Sequence, residues 1–166
     1  ARVATCVPIA TTALDAIVAF ATTERIDLVV VGPEAPLVEG LADRLRAAGV
    51  RVFGCSQAAA AIEGSKVVMK QLAARHRIPT AAFGVFAEPS EADRFIDATF
   101  ETATRLVVKA DGLAAGKGVI LCDSRDEAKQ AARALAGSGG QLVIEEFLVG
   151  REASLLAFVA GEAVVP

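Results

Sequence analysis

The chain has 166 residues, 54% of them hydrophobic, with a net charge of -3 and neither Trp nor Tyr. That length suits one domain or one and a half; the acidic balance argues against an electrostatic grip on nucleic acid or an anionic membrane. No apolar run approaches the roughly 20 residues of a membrane span.

Cys6, Cys55 and Cys122 are odd in number and lack metal spacing, so they read as buried, reduced thiols of a cytoplasmic protein. Val3 to Ile9 reads as a strand. Thr12-Ala13-Leu14-Asp15 fits a capping box, with Asp in place of Glu or Gln. It opens a helix to about Thr23, with Ala13, Ile17, Phe20 and Ala21 on the apolar face. Ile26 to Val31, apolar apart from Asp27, is a strand of the kind covered on both faces. It ends in Gly32-Pro33-Glu34-Ala35-Pro36. Leu37 to Ala48 reads as a helix with Leu41, Leu45 and Ala48 on one side, closed by Gly49. Val50 to Phe53 is a short strand. The order strand, helix, strand, helix, strand indicates an α/β unit with right-handed parallel crossovers. Ligands of such sheets sit beyond the carboxyl ends of strands. Glu34 lies at such an end, where its carboxylate holds an amine or a sugar hydroxyl, or else simply occupies a solvated turn.

Ser56 caps an alanine-rich helix to about Ile62, and Ser65 caps the helix Lys66 to Arg75. Lys66 falls in the first turn, where a cation opposes the helix dipole unless an anion is nearby. The placement suggests phosphate binding, against the alternative of a solvated surface lysine. His76, the only histidine, assists the dipole at the other end and has no second His for a metal pair. Ile78-Pro79-Thr80 breaks the helix, and a boundary falls at about residues 77 to 81. Phe83 to Phe86 is a strand. Ser90-Glu91-Ala92-Asp93 caps a helix to about Ala103 that sets Phe95 and Thr99 on one face.

Arg105 to Lys109 and Gly118 to Cys122 read as strands, joined by a loop rich in glycine, alanine and lysine. Small residues let a backbone approach a ligand and aim N–H groups at it, and lysines add charge for phosphate oxygens. A hairpin with an exposed tip is the plainer alternative. Lys109, however, ends a buried-type strand, where a lysine is costly without an anionic partner, and this favours a phosphate-covering loop. Ser124-Arg125-Asp126-Glu127 is a capping box for a helix to Ala136. Leu142 to Ile144 is a strand leading into Glu145-Glu146-Phe147-Leu148. Adjacent strand residues point to opposite faces, so the two carboxylates form no dyad; one faces a site and the other solvent. Arg151 to Phe158 is a further strand, and Gly161-Glu162 a hairpin turn. The opening in a strand and the stop at Val164-Val165-Pro166 suggest part of a longer protein.

Taken in order, Gly64-Ser65-Lys66, Ile78-Pro79-Thr80, the string from Val108 to Val119, Ile144 to Leu148, and Glu152-Ala153-Ser154 resemble the ATP-grasp superfamily. The run Lys109-Ala110-Asp111-Gly112-Leu113-Ala114-Ala115-Gly116-Lys117-Gly118 is similar to that of the phosphoribosylamine–glycine ligase family. So are Val31 to Leu37 and the Glu63-Gly64-Ser65-Lys66 turn. The resemblance implies an α/β chain: a truncated parallel-sheet N-terminal domain followed by an α+β ATP-grasp lid subdomain. Residues 1–63 would be the C-terminal part of the substrate-binding domain, and 64–80 a linking helix carrying the first ATP lysine. Residues 81–166 would be the lid subdomain with the start of a truncated central domain.

It further implies that Lys66 and Lys109 are the catalytic, phosphate-contacting lysines. Asp111, Gly112, Leu113, Ala114, Ala115, Gly116, Lys117 and Gly118 would close over the phosphates. Glu145, Glu146, Phe147 and Leu148 would form the hinge beside adenine, read by backbone groups of Glu146 and Leu148. Glu152 would hold the ribose hydroxyls, and Gly32, Pro33 and Glu34 would contact substrate. The implied reaction joins glycine to 5-phosphoribosylamine through a glycyl phosphate, giving glycinamide ribonucleotide, ADP and phosphate, in purine biosynthesis. It uses ATP and Mg²⁺ or Mn²⁺, with metal ligands expected outside these residues and none within them. No nucleic acid or membrane partner is implied, and oligomeric state is not indicated. The family's N-terminal glycine-rich turn is absent, Cys55 follows Gly54 where proline is common, and the connection from Ala136 to Gln141 is short. Another ATP-grasp carboxylate–amine ligase would share the lysines and hinge but not the whole loop string. A nucleotide-binding piece, inactive by itself, is the remaining alternative.

Overall fold

A computed structural model describes residues 3–114, 118–137 and 140–166. The first half is built from α1 (Leu14–Thr23), β1 (Val29–Val30), α2 (Glu34–Val38), α3 (Leu41–Ala47), β2 (Val52–Phe53) and α4 (Gln57–Gly64). β1 and β2 pair in parallel, with Val29 opposite Val52 and Val30 opposite Phe53. Leu14, Ala21, Leu41, Leu45 and Val50 form the core that packs α1 and α3 together, with Val29 and Val52 against it. The α/β character is therefore as the sequence implies, but the strands are shorter. Arg25 adopts φ +52 and Ile26 returns its N–H to the Ala21 carbonyl. Residue 26 thus belongs to the closure of α1, and the strand starts later than the apolar run.

The expected strand Val3 to Ile9 does not form; residues 3–10 carry no regular structure. An apolar run becomes a strand only where its backbone groups find a neighbouring edge, and none pairs with it here. The Thr12 capping box is also absent, because the cap position falls on Ala13, which has no side-chain oxygen to offer. Leu14 is the buried anchor of α1, together with Ala21. The single helix expected from Leu37 to Ala48 breaks at Gly40, whose φ of +88 lies in the left-handed region that side chains resist. After α3, the Gly49 N–H returns to Arg46 and the Val50 N–H to Leu45, the paired closure expected of a glycine at this position. Cys122 is buried as expected, but Cys6 and Cys55 are exposed.

The second half contains α5 (Lys66–His76), β3 (Phe83–Phe86), α6 (Pro89–Thr99), β4 (Leu106–Ala110), β5 (Val119–Cys122), α7 (Arg125–Ala136) and β6 (Leu142–Glu146), then the hairpin β7 (Phe158–Ala160) and β8 (Ala163–Val165). Four strands form an antiparallel sheet in the order β3-β6-β4-β5. Strand alternation divides its two faces. Leu106, Val108, Leu142 and Ile144 point at α6 and α7, where they are sealed by Ala92, Ile96, Ala128 and Ala132. Val107, Lys109, Val143 and Glu145 are therefore left for the opposite face.

Ser56, Ser65 and Ser124 each accept the expected backbone N–H. The return arm of the Ser124 box differs, since the Glu127 carboxylate accepts from the Asp123 N–H. α6 opens on Pro89 rather than on a Ser90 cap, and ends at Thr99 rather than Ala103. Proline's fixed φ suits the first helical position. Residues 151–157 are irregular, so the expected strand from Arg151 is reduced to β7, with Leu155 and Leu156 exposed. Among the described residues no helix is long and apolar enough to cross a membrane.

Candidate functional site

Lys109 lies opposite Val143, and Glu145 opposite Val107, so the lysine and the carboxylate are diagonal neighbours across the β4–β6 pair. On the face turned away from α6 and α7, Lys109 Nζ sits 2.9 Å from Glu145 Oε2. A second ammonium reaches the same oxygen: Lys70 Nζ of α5, at 3.2 Å. Lys70 occupies the middle of the buried stripe Val67, Lys70, Ala73 and is 2% exposed. Its ammonium also donates to Thr80 Oγ1 at 2.8 Å and to the Ala81 carbonyl at 3.2 Å, and it stands 5.3 Å from the Phe83 ring centre. Glu145 Oε1 is buried with no hydrogen-bond partner among the described residues. Lys109 is thus provided with the anionic partner its position demands, and its side chain remains 24% exposed toward the cleft.

The loop after β4 is tied to the start of α5 from both directions. Asp111 accepts from Ser65 Oγ at 3.0 Å and from the Val67 N–H at 3.1 Å. Lys66 Nζ donates to the Gly112 carbonyl at 2.7 Å. The anion the helix N-terminus calls for is therefore, in this structure, the Asp111 carboxylate. Gly112 takes φ +88, which turns the chain away from the sheet immediately after this anchor. At the far neck, a Cβ on Gly118 would lie 2.5 Å from that of Ala114, so a side chain there would force the loop open.

Between α5 and this loop lies a cleft of about 420 Å³, lined by Glu34, Ile62, Glu63, Lys66, Met69, Lys109, Gly112, Leu113, Ala114, Gly118, Val119 and Glu145. Lys66 and Lys109 line it beside the carboxylates Glu34, Glu63 and Glu145, and the two ammonium groups with a glycine-shaped rim can meet a polyanion such as a triphosphate. Glu34, at the first turn of α2, brings the first half of the chain to the same cleft. Among the described residues no three His, Cys, Asp or Glu side chains gather to hold a metal.

The sequence-expected residues divide accordingly. Lys66, Lys109, Gly112, Leu113, Ala114, Gly118, Glu145 and Glu34 meet at the cleft, while Asp111 anchors the loop. Ala115, Gly116 and Lys117 lie outside the described residues. Gly32 and Pro33 are exposed beside α2 and do not line the cleft. Glu146 is turned away: its Oε1 accepts from the Ala82 N–H at 2.8 Å. Phe147 lies under the Arg105 guanidinium at 4.8 Å. Leu148 is 63% exposed, and Glu152 is exposed in the irregular stretch before β7. Sequence reasoning missed Lys70, although a lysine inside an apolar i, i+3 stripe was the available signal.

Residues 64–166 match the family model described as phosphoribosylglycinamide synthetase, ATP-grasp (A) domain, and residues 1–63 match the N domain of the same synthetase. A phosphoribosylamine–glycine ligase of Mesorhizobium japonicum is 48% identical over 156 residues, covering 91% of this chain and 36% of that protein. The crystal structure of phosphoribosylamine–glycine ligase from Thermotoga maritima superposes with a TM-score of 0.60 at 38% identity, over 69% of this chain and 30% of that one. D-alanyl-alanine synthetase A of Vibrio cholerae superposes at 0.72 with 20% identity, over 84% of this chain and 43% of that one, and shares the fold alone. The chain spans little more than a third of the length of the curated relatives it matches.

Proposed function

The chain belongs to the phosphoribosylglycinamide synthetase family, and we propose that the protein carrying it joins glycine to 5-phosphoribosylamine at the expense of ATP, releasing glycinamide ribonucleotide, ADP and phosphate. The observation that supports this most is the cleft that Lys66 and Lys109 both line, beside the loop that starts at Asp111. Residues 1–63 contribute to the substrate side, 64–80 link the two units, and 81–166 form the lid side with the start of a further domain.

ATP is a substrate of this reaction, and the ammonium groups of Lys66 and Lys109 in the cleft suit its phosphates. Lys66 and Lys109 offset phosphate charge as the glycine carboxylate attacks the γ-phosphorus and the bond to the β–γ bridging oxygen breaks, releasing ADP. The resulting acyl phosphate is attacked by the amine of phosphoribosylamine, and phosphate leaves as the amide forms. The work required is positioning and charge neutralisation in a partly dehydrated site. Backbone groups of Gly112 to Ala114 and Gly118 border the phosphates, and Glu34 meets the substrate amine or sugar. Backbone groups of Glu146 and Leu148 read adenine and Glu152 takes the ribose once the irregular stretch around them closes. Mg²⁺ or Mn²⁺ is held in this reading by residues outside the described ones, which gather no ligand set of their own.

The test is ADP release by the intact protein, followed in a coupled assay. Release is expected only with glycine and phosphoribosylamine both present. Equal release with a different acid and amine refutes the assignment. In the same protein Lys109→Ala weakens ATP binding, and an unchanged affinity removes Lys109 from the site.

A further inference from the structure

We infer that Lys70 is a positioning residue for nucleotide binding: by neutralising Glu145 from behind, it leaves Lys109 with a charge to give to phosphate. The inference rests on the proposed nucleotide cleft. Glu145 alone would hold Lys109 in place and cancel it at the same time. With Lys70 on the same oxygen, two ammonium groups share one carboxylate. The trio then carries one net positive charge; Lys109 and Glu145 both line the cleft, and Lys109 is the more exposed, at 24% against 6%.

Lys70 cannot serve the ligand directly. An ammonium has three N–H donors, and Thr80 Oγ1, the Ala81 carbonyl and Glu145 Oε2 offer three acceptors to it. It is 2% exposed and does not line the cleft. A lysine so enclosed is rare without a specific partner. Its acceptors lie on the segment leading into β3 and on β6, so it fixes Glu145 against two elements at once. Removing Lys70 alone leaves Lys109 paired with Glu145 in a neutral couple, whereas removing Lys70 and Glu145 together leaves the Lys109 charge free.

The experiment compares Lys70→Met, Glu145→Gln and the double variant in the intact protein, by calorimetric titration with MgADP and by thermal melting. Lys70→Met is expected to raise the Kd for MgADP by about tenfold or more, the scale of one lost charge-assisted contact. The double variant is expected to recover to within about threefold of wild type, because Lys109 regains its uncompensated charge and the side-chain amide carbonyl introduced by Glu145→Gln still accepts from it. A strut that merely braces the fold would lower the melting temperature without changing the Kd of the folded protein. A folded Lys70→Met protein with wild-type Kd therefore overturns the inference. If Lys70→Met does not fold, the double variant decides: near-wild-type affinity supports the inference, and affinity about tenfold weaker overturns it. A double variant that does not fold overturns it as well, since Lys70 would then be needed without Glu145. Titration is independent of turnover. Wild-type protein that binds MgADP but makes no glycinamide ribonucleotide refutes the proposed reaction and leaves the role of Lys70 standing.

Discussion

Asp111→Ala should unfasten the loop after β4 from α5, and the effect can be read at one amide. Val67 is the second residue of α5, so its N–H has no partner within the helix. The Asp111 carboxylate supplies that partner at 3.1 Å. A hydrogen bond to a charged group contributes about 1.5–3 kcal/mol, and an anion at a helix N-terminus adds about 0.3–1 kcal/mol. Partial exposure of the site reduces both, leaving a local loss of about 2 kcal/mol, which corresponds to roughly thirtyfold in an opening equilibrium. Residue-resolved hydrogen exchange on the intact protein should show the Val67 amide exchanging about thirtyfold faster. The Val68 amide should change far less, because Ser65 Oγ still accepts from it at 3.1 Å. Asp111→Asn, which keeps an oxygen but not the charge, should fall between. Unchanged protection at Val67 would refute the anchor, and an equal rise at Val67 and Val68 would show general fraying instead.

Ile96→Ala empties a fully buried position between α6 and the sheet and should destabilise by about 2–5 kcal/mol in urea denaturation; a loss under about 1 kcal/mol would mean the core closes around the gap. Burial, reinforced by the Glu127 and Asp123 carboxylates, pushes the Cys122 thiol up. Because the thiolate is the reactive form, iodoacetamide at pH 8 should label Cys6 and Cys55 at least about tenfold faster than Cys122, and equal rates by peptide mapping would contradict the packing. The Arg105 guanidinium, by its hydrogen bond and then its charge, holds the Asp123 carboxyl below the usual carboxylate range. A carboxyl depressed in the folded state stabilises above the ordinary value of about 3.9 and loses that contribution as pH falls through its folded value. The small stability difference between wild type and Asp123→Asn should accordingly vanish on acidification; a difference that widens toward acid would reverse the sign and refute the pairing.

Local features were legible in the sequence because their causes are local. Ser56, Ser65 and Ser124 cap where their side chains can reach an N–H three residues on, whatever surrounds them. β3 runs from Phe83 to Phe86 and α7 ends at Ala136, as the pattern of apolar residues and breakers indicates. Lys109 was legible as a cation in need of an anion, but not the identity of that anion. Glu145 is 36 positions away in sequence and becomes its neighbour only through the β4–β6 register. Residues 3–9 and 151–157 carry strand composition without a strand, since composition cannot supply the neighbouring edge. Glu145 and Glu146 were expected on opposite faces, and they are. Which of them faces the cleft depends on α6 and α7 covering the other side of the sheet.

The two cleft lysines are restrained by different kinds of acceptor, and this sets the order in which an incoming phosphate can engage them. Lys66 is bonded to the neutral carbonyl of Gly112, on the roof of the cleft. Lys109 is bonded to a carboxylate on the floor. Both bonds have an ionised donor, but the Lys66 bond joins a charge to a carbonyl dipole, whereas the Lys109 bond joins two opposite charges and gains their mutual attraction. In the proposed nucleotide site a phosphate oxygen would therefore displace the carbonyl from Lys66 with a net gain and release the Gly112 carbonyl. Lys109 would keep its carboxylate and offer its remaining N–H groups to the ligand. Asp111, bonded to α5 rather than to either lysine, holds the base of the loop throughout. On the proposed reading, phosphate binding would thus exchange a contact of the roof at Gly112, just beyond the Asp111 anchor, and leave the floor fixed by Glu145 between its two lysines.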